Sequence, residues 1–250
     1  MIARLPQIKS YQDAFFRNAL SYSVEQVCNF EEARKIARGL SMSAFDVSEF
    51  PYIYFTAGIT EALNTFLSES PFDMMKGDYR YVTVLPMRSG ILTPEETAIN
   101  RVLYLSTPSA INGRHVDLYQ EWIQRYSEVF LDCAYMFASN MEFENRTLPQ
   151  NIKRVAFSLS KSHNLADVRV GWILSRTPYR PLHALQYDYD YGNSIITGVM
   201  RQTLLEEPNY LYYKYKREYG RKYKRNKLIE GDTNLFGLDQ NGGKIPFWTL

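Results

Sequence analysis

An α/β fold built on a mainly parallel sheet is what this sequence predicts. Short apolar runs rich in β-forming residues recur along the chain, with helix-like stretches between them, and that alternation implies crossover connections. The composition is that of an ordinary globular protein, 45% hydrophobic and 22% charged, which excludes wholesale disorder. Aromatic residues reach 15%, with 20 Tyr, 14 Phe and 3 Trp, so a substantial core is available.

Taken in chain order, a helix is expected over 31–40, then a strand over 52–55 (YIYF). Residues 60–68 place Ala62, Leu63, Phe66 and Leu67 at helical spacing. Strands follow over 80–85 and Val102–Ser106. Residues 117–126 have an acidic start and set Leu118, Trp122, Ile123 and Tyr126 on one side, as a helix does. Apolar strands then recur at 128–132, 154–158 and 170–174. A helix is expected over 194–206 and a long one over 209–228, striped by Tyr212, Tyr215, Tyr219 and Tyr223. The tail, 231–250, is rich in Gly and Asn and reads as irregular or strand structure packed on the body.

Two cysteines, Cys28 and Cys133, do not make a disulfide scaffold or a cysteine-rich metal site. His115, His163 and His183 lie far apart and show no metal-ligand spacing, so no metal is expected. No apolar run approaches the roughly 20 residues of a membrane helix, and Met1 to Tyr11 carry no apolar leader. A soluble, cytoplasmic protein without a membrane partner is the expectation. The net charge of +2 is unevenly placed: residues 214–227 hold eight basic residues and one acid, which leaves the remaining chain at −5. Lysines and arginines alternate there with tyrosines, a pattern nucleic-acid binders use, but charge runs are usually solvated faces and no nucleic-acid partner is expected.

In open α/β sheets, ligands sit beyond the carboxyl ends of the strands. After the strand at 52–55 comes Gly58-Ile59-Thr60, a glycine turn feeding a helix. Free amides at such a helix start favour an anion, whereas the plain alternative makes Thr60 an ordinary N-cap. After Leu131 comes Asp132, a carboxylate whose burial is costly unless it meets a cation or donors. It serves either a cap or buried ion pair, or a protonated ring nitrogen. After Phe157 comes Ser158-Leu159-Ser160-Lys161, with Arg169 eight residues on. A lysine so placed can act as an amine nucleophile, and it can equally be a solvated side chain.

Taken together, the stretches GITEA (58–62), DCAY (132–135) and SLSKSHNLADVRVGW (158–172) resemble, in order and spacing, the fold type I pyridoxal phosphate enzymes of the class I/II aminotransferase group. The resemblance spans roughly residues 20–230. It implies a three-layer α/β/α architecture, a large cofactor-binding domain over 1–230 with an N-terminal helical segment, and a reduced small domain over 231–250. It implies pyridoxal 5'-phosphate as cofactor, bound to Lys161 as a Schiff base. Lys161 would then also move the proton on the substrate α-carbon. Asp132 matches the carboxylate that pairs with the ring nitrogen, and Tyr135 the hydroxyl on the ring oxygen. Gly58, Ile59, Thr60, Ser158 and Arg169 match the phosphate cup, and Tyr79 the aromatic that stacks on the ring, with Gly90 eleven residues on. Tyr22 matches a tyrosine that reaches the phosphate of a neighbouring subunit, so a homodimer is implied. Amino acids or amines and keto acids are the implied substrates.

Two features depart from the pattern. The family's Asn-Pro-Thr-Gly is replaced by Ala110-Ile111-Asn112-Gly113, so the ring-oxygen Asn becomes alanine, with Asn112 or Ser109 as compensating candidates. Residues 231–250 contain no arginine to clamp a substrate carboxylate, and Lys244 is their only basic residue. The resemblance makes transamination the first expectation, and these two departures open alternatives to it. A lyase, decarboxylase or cyclase of the same cofactor class, or a non-catalytic binding protein on this scaffold, stands beside it.

Overall fold

The computed structural model describes residues 17, 30–96, 98–142, 145–163, 169–188, 194–203 and 210–246. Tyr22, Cys28, residues 164–168 of the third motif and 204–209 of the expected helices lie outside them. A seven-stranded sheet runs in the order β1-β7-β6-β5-β4-β2-β3. Its strands are β1 (Tyr52–Thr56), β2 (Phe72–Met75), β3 (Arg88–Leu92), β4 (Val102–Ser106), β5 (Glu128–Cys133), β6 (Ile152–Ser158) and β7 (Gly171–Ser175). Only β7 runs against the rest, pairing antiparallel with both β1 and β6. The expected mainly parallel mixed sheet is what forms.

Alternation along the strands builds the two faces. Ile53, Phe55, Leu103, Leu105, Val129, Leu131, Val155, Phe157, Trp172 and Leu174 share one core with Ala33, Ile36 and Leu40 of α1 (Phe30–Ala44). Tyr54, Tyr104, Phe130, Ala156 and Ile173 share the other with Ile59, Ala62, Leu63 and Phe66 of α2 (Gly58–Phe66). Helices thus cover both faces of the sheet. Helix α3 (Ser194–Thr203) joins α1 on the first face, burying Val199 and Met200. Because Asp132 follows Phe130 by two residues, its side chain leaves the sheet on the α2 face.

Two sequence expectations change. The strand expected over 80–85 is a 3-10 helix, Arg80–Val84. Val82 within it and Leu85 just after it are buried, three positions apart, while Val84 is 72% exposed. That period suits a 3-10 turn, and it overrides the β-branched composition. The strands β2 and β3 were not expected. Asp73 interrupts the apolar pattern of β2, yet it is fully buried and accepts the N–H groups of Ile99 at 2.8 Å and Asn100 at 3.0 Å. Gly90 of β3 pairs with Asp73, and a Cβ there would overlap its carboxylate. The helix expected over 117–126 is a single turn, Glu121–Gln124.

Helix α4 (Tyr210–Arg225) buries Tyr212, Tyr215, Tyr219 and Tyr223. Lys214, Lys216, Arg217, Arg221, Lys224 and Arg225 face solvent. The Tyr223 hydroxyl reaches the Thr233 carbonyl at 2.9 Å. The tail forms a hairpin, β8 (Phe236–Leu238) with β9 (Lys244–Pro246). Residues 232–234 tie it to the sheet loops: the Asp232 N–H donates to Gly113 O at 2.8 Å, and the Asn234 N–H to Ala138 O at 3.2 Å. Among the described residues, no helix is long and apolar enough to cross a membrane.

Candidate active site

Every parallel strand that carries a motif ends on the same edge of the sheet, and β7 starts there. Register puts Ser106 opposite Asp132, and Ser158 and Thr56 opposite Gly171. The loops from these ends enclose a cavity of about 600 Å³ including its open mouth. Ile59, Thr60, Tyr79, Asp132, Tyr135, Ser158, Lys161 and Arg169 all line it. Gly58 stands immediately behind: a methyl added there would lie 3.3 Å from an Arg169 guanidinium nitrogen and 3.5 Å from Ser160 Oγ.

One end of the cavity is a nest of donors. Gly58 has φ +72°, a left-handed turn that glycine adopts without strain and that swings the chain from β1 into α2. Ala57, rather than Thr60, is the N-cap, and no side chain caps the helix. The first amides of α2 are thus left facing this corner, with the positive end of the helix dipole behind them. Ser158 caps the turn Leu159–Ser162, its Oγ accepting the Ser160 N–H at 3.1 Å and lying 2.9 Å from Ser160 Oγ. Arg169 is held at φ 59°, a conformation that costs a non-glycine residue on the order of 1 kcal/mol. It makes no ion pair with any described residue. Gly171 lets the turn close: a Cβ there would lie 2.9 Å from Gly58 Cα and 2.8 Å from Phe157 O.

The opposite end is acidic and dry. Asp132 is 3% exposed. Its oxygens accept the Ala134 N–H and the Tyr104 hydroxyl, both at 2.8 Å, and no described cation pairs with it. Burial pushes its carboxyl up to about 7, against the pull of those two hydrogen bonds, with the nearby Asp78 adding to the rise. The Tyr135 hydroxyl is pushed up by burial and then by Asp132, so it stays protonated. Burial likewise raises Tyr79, with Asp132 adding. Between the two ends, Lys161 has its ammonium pushed down by burial first and by the charge of Arg169 second.

Tyr104, Ser106, Pro108, Ala134 and Ser160 also line the cavity and were not given a site role from the sequence, and Ala110, where the family's asparagine is replaced, lines it too. Tyr104 and Ser106 carried a readable signal, since both belong to a strand whose end was a candidate. Asn112 and Ser109 do not replace the absent asparagine. Asn112 Oδ1 accepts the Arg114 N–H at 3.0 Å, Ser109 Oγ accepts the Ile111 N–H at 3.1 Å, and neither lines the cavity. Lys244 lies outside it, with Nζ 3.5 Å from Gly77 O.

The donor set fits a cofactor with an anion at one end and a cationic ring at the other. Uncapped amides, hydroxyls and a guanidinium suit a phosphate. An unpaired buried carboxyl suits a protonated ring nitrogen. Among the described residues, no cluster of His, Cys, Asp or Glu suits a metal ion.

By sequence, no protein-family model matches the chain and no curated protein does. By structure, it resembles a tyrosine aminotransferase from Leishmania infantum, with a TM-score of 0.67 at 10% identity over 91% of this chain and 77% of that one. It resembles an aminotransferase from Staphylococcus aureus with a TM-score of 0.63 at 14% identity over 90% and 73%. A PLP-bound C-S lyase from Staphylococcus hominis gives a TM-score of 0.64 at 10% identity over 91% and 73%. With the sheet order and the layered helices, these likenesses establish that the chain has the aminotransferase-like fold of fold type I.

Proposed function

We propose that this chain is a pyridoxal 5'-phosphate-dependent enzyme acting on an amino acid or amine, that its reaction is amino transfer to a keto acid, and that Lys161 carries the cofactor. One observation supports this above all: a desolvated lysine, an unpaired buried carboxyl and a phosphate-shaped donor nest share one cavity.

When bound, the cofactor supplies an electron sink for a carbanion at the substrate α-carbon. The amides of Ile59 and Thr60, the Thr60 and Ser158 hydroxyls and Arg169 hold its phosphate. Asp132, which meets no cation among the described residues, would bind the ring nitrogen and keep its proton in place. Tyr135 presents a hydroxyl that does not ionise near neutral pH, so it donates to the ring oxygen. Tyr79 lies against the ring. The Lys161 amine sheds its proton more readily than a solvated lysine, which attack on an aldehyde requires. Freed by substrate, the same amine takes and returns the α-proton. A cytoplasmic homodimer, with a second copy closing the open mouth, is the form in which we propose it acts. A C-S lyase shares the fold as fully as the aminotransferases, and 231–250 hold no arginine, so elimination is the second reading.

The test is colour and mass. Protein incubated with pyridoxal 5'-phosphate should absorb visible light, and borohydride should fix the added mass on Lys161. The Lys161→Ala variant should do neither. A wild-type protein that stays colourless, or a label on another lysine, defeats the reading. Conversion of the bound cofactor to its amine form by an amino acid supports transfer; release of a fragment without that conversion supports elimination.

A further inference from the structure

Asp78 is a second buried carboxyl beside the cavity, 5% exposed, and the roles above leave it unused. The turn after β2 delivers it there. Gly77 has φ +86°, which lets the chain fold back so that the Asp78 N–H donates to Met75 O at 3.1 Å. Asp78 has no ion pair among the described residues, and backbone amides meet it instead. Its Oδ1 accepts the Tyr79 N–H at 2.7 Å, and its Oδ2 accepts the Ser106 N–H at 3.2 Å. The Ser106 hydroxyl donates to Asp78 Oδ1, and Ser106 Oγ accepts the Ala110 N–H at 2.8 Å. One carboxyl thus ties together the loop after β2, the end of β4 and the loop that follows β4. The residues it fastens, Tyr79, Ser106 and Ala110, all line the cavity, and Ser106 is in register with Asp132.

This clasp calls for a carboxyl. Two backbone N–H groups on separate segments each require an acceptor, and a carboxyl offers one oxygen to each. Burial pushes the carboxyl up, but both N–H bonds persist with or without its proton, because each oxygen keeps a lone pair. An amide has a single oxygen and would turn its NH2 on one of the two N–H groups. Tyr79 is the N-cap of the 3-10 helix Arg80–Val84, and its side chain makes no cap hydrogen bond. Its ring takes its direction from the backbone that Asp78 holds.

We infer that Asp78 is a positioning residue for cofactor binding: by fixing the Tyr79 backbone to the end of β4, it sets the Tyr79 ring against the face of the cofactor ring. The inference rests on the pyridoxal phosphate reading. It adds to that reading a residue that touches neither cofactor nor substrate.

A double-mutant cycle separates positioning from a general effect on the fold. Two readouts are taken on the wild type, Asp78→Asn, Tyr79→Ala and the double variant. One is the Kd for pyridoxal 5'-phosphate by equilibrium dialysis. The other is the circular dichroism of the visible band, which reports how the bound ring sits among its neighbours. Tyr79→Ala should raise the Kd roughly tenfold, the worth of an aromatic stack with its buried area. Asp78→Asn should raise it roughly three- to tenfold, the worth of a broken hydrogen bond, and weaken the visible dichroism. In the Tyr79→Ala background, Asp78→Asn should change the Kd by no more than about twofold. If Asp78→Asn does not fold, Ser106→Ala serves. It cuts the hydroxyl tie and should shift both readouts in the same direction, again only where the Tyr79 side chain is present, and Ser106→Thr should restore them. A wild type that binds the cofactor while Asp78→Asn leaves both readouts unchanged overturns the inference and leaves the cofactor reading intact. So does an Asp78→Asn effect that persists in full without the Tyr79 side chain, since that marks an effect of charge or of the fold at large. A colourless wild type takes down both.

Discussion

Replacing Asp132 by Asn should make the cofactor-free protein more stable at alkaline pH while weakening its grip on the cofactor. The carboxyl moves from an ordinary 3.8 to about 7 through burial. Each unit is worth about 1.4 kcal/mol, so the ionised side chain costs the empty fold about 4 kcal/mol at most. Below the unfolded value the proton is present in both states and there is no cost. Between about pH 4 and pH 7 the native state keeps a proton that the unfolded chain has released, so stability falls as pH rises. Above the folded value the cost is constant. From pH 5 to pH 8 the loss amounts to roughly 2.5 kcal/mol, or about 5–10 °C in Tm for a chain of this size. Asn fits because its oxygen can accept the Ala134 N–H and its amide can donate to the Tyr104 oxygen. Thermal scans of both proteins at the two pH values, without cofactor, provide the assay. The wild type should lose more than the variant by that margin, and saturating pyridoxal 5'-phosphate should reverse the order of stability. Equal pH dependence in the two proteins would refute the claim that Asp132 is held uncompensated.

Two further perturbations probe the donor nest. Arg169→Ala should raise the Kd for pyridoxal 5'-phosphate by roughly 10- to 100-fold, the value of a charge-assisted contact to phosphate, measured by equilibrium dialysis; unchanged affinity would remove Arg169 from the nest. Gly171→Ala pushes a methyl to 2.8 Å from Phe157 O and 2.9 Å from Gly58 Cα, so it should destabilise by about 2 kcal/mol in urea unfolding and weaken phosphate binding together. A Gly171→Ala protein as stable as the wild type would mean that β7 and the Gly58 turn do not pack this closely.

Much of the sheet was legible because its strands are short, apolar and buried on both faces. β4 was legible in full, and β1, β5, β6 and β7 shifted by a residue or two at their ends. β2 and β3 were not, for a physical reason. Asp73 puts a charged residue in the middle of a buried strand, and only a distant loop, at Ile99 and Asn100, supplies the donors that make it tolerable. No local pattern announces such a rescue. The segment at 80–85 failed the opposite way. Its β-branched residues suggested a strand, but the Asp78 turn before it and one buried side chain in three select a 3-10 helix.

The site follows the same logic. Lys161, Asp132, Ser158 and the Gly58 turn stand out because each breaks an apolar strand at its end, where a polar side chain requires a reason. Tyr104 and Ser106 hide because a tyrosine and a serine inside an apolar strand require none. Their importance arises only in three dimensions, where they face two carboxyls, Asp132 and Asp78, that have no ion pair among the described residues. Hydroxyls serve there where arginines would not. A guanidinium beside Asp132 would neutralise it and abolish its demand for a cationic ring, whereas a tyrosine hydroxyl fixes the carboxyl and leaves its charge unanswered. The empty fold therefore carries an electrostatic cost at Asp132 that a protonated ring nitrogen relieves. That difference between the empty and filled cavity favours the cofactor over water.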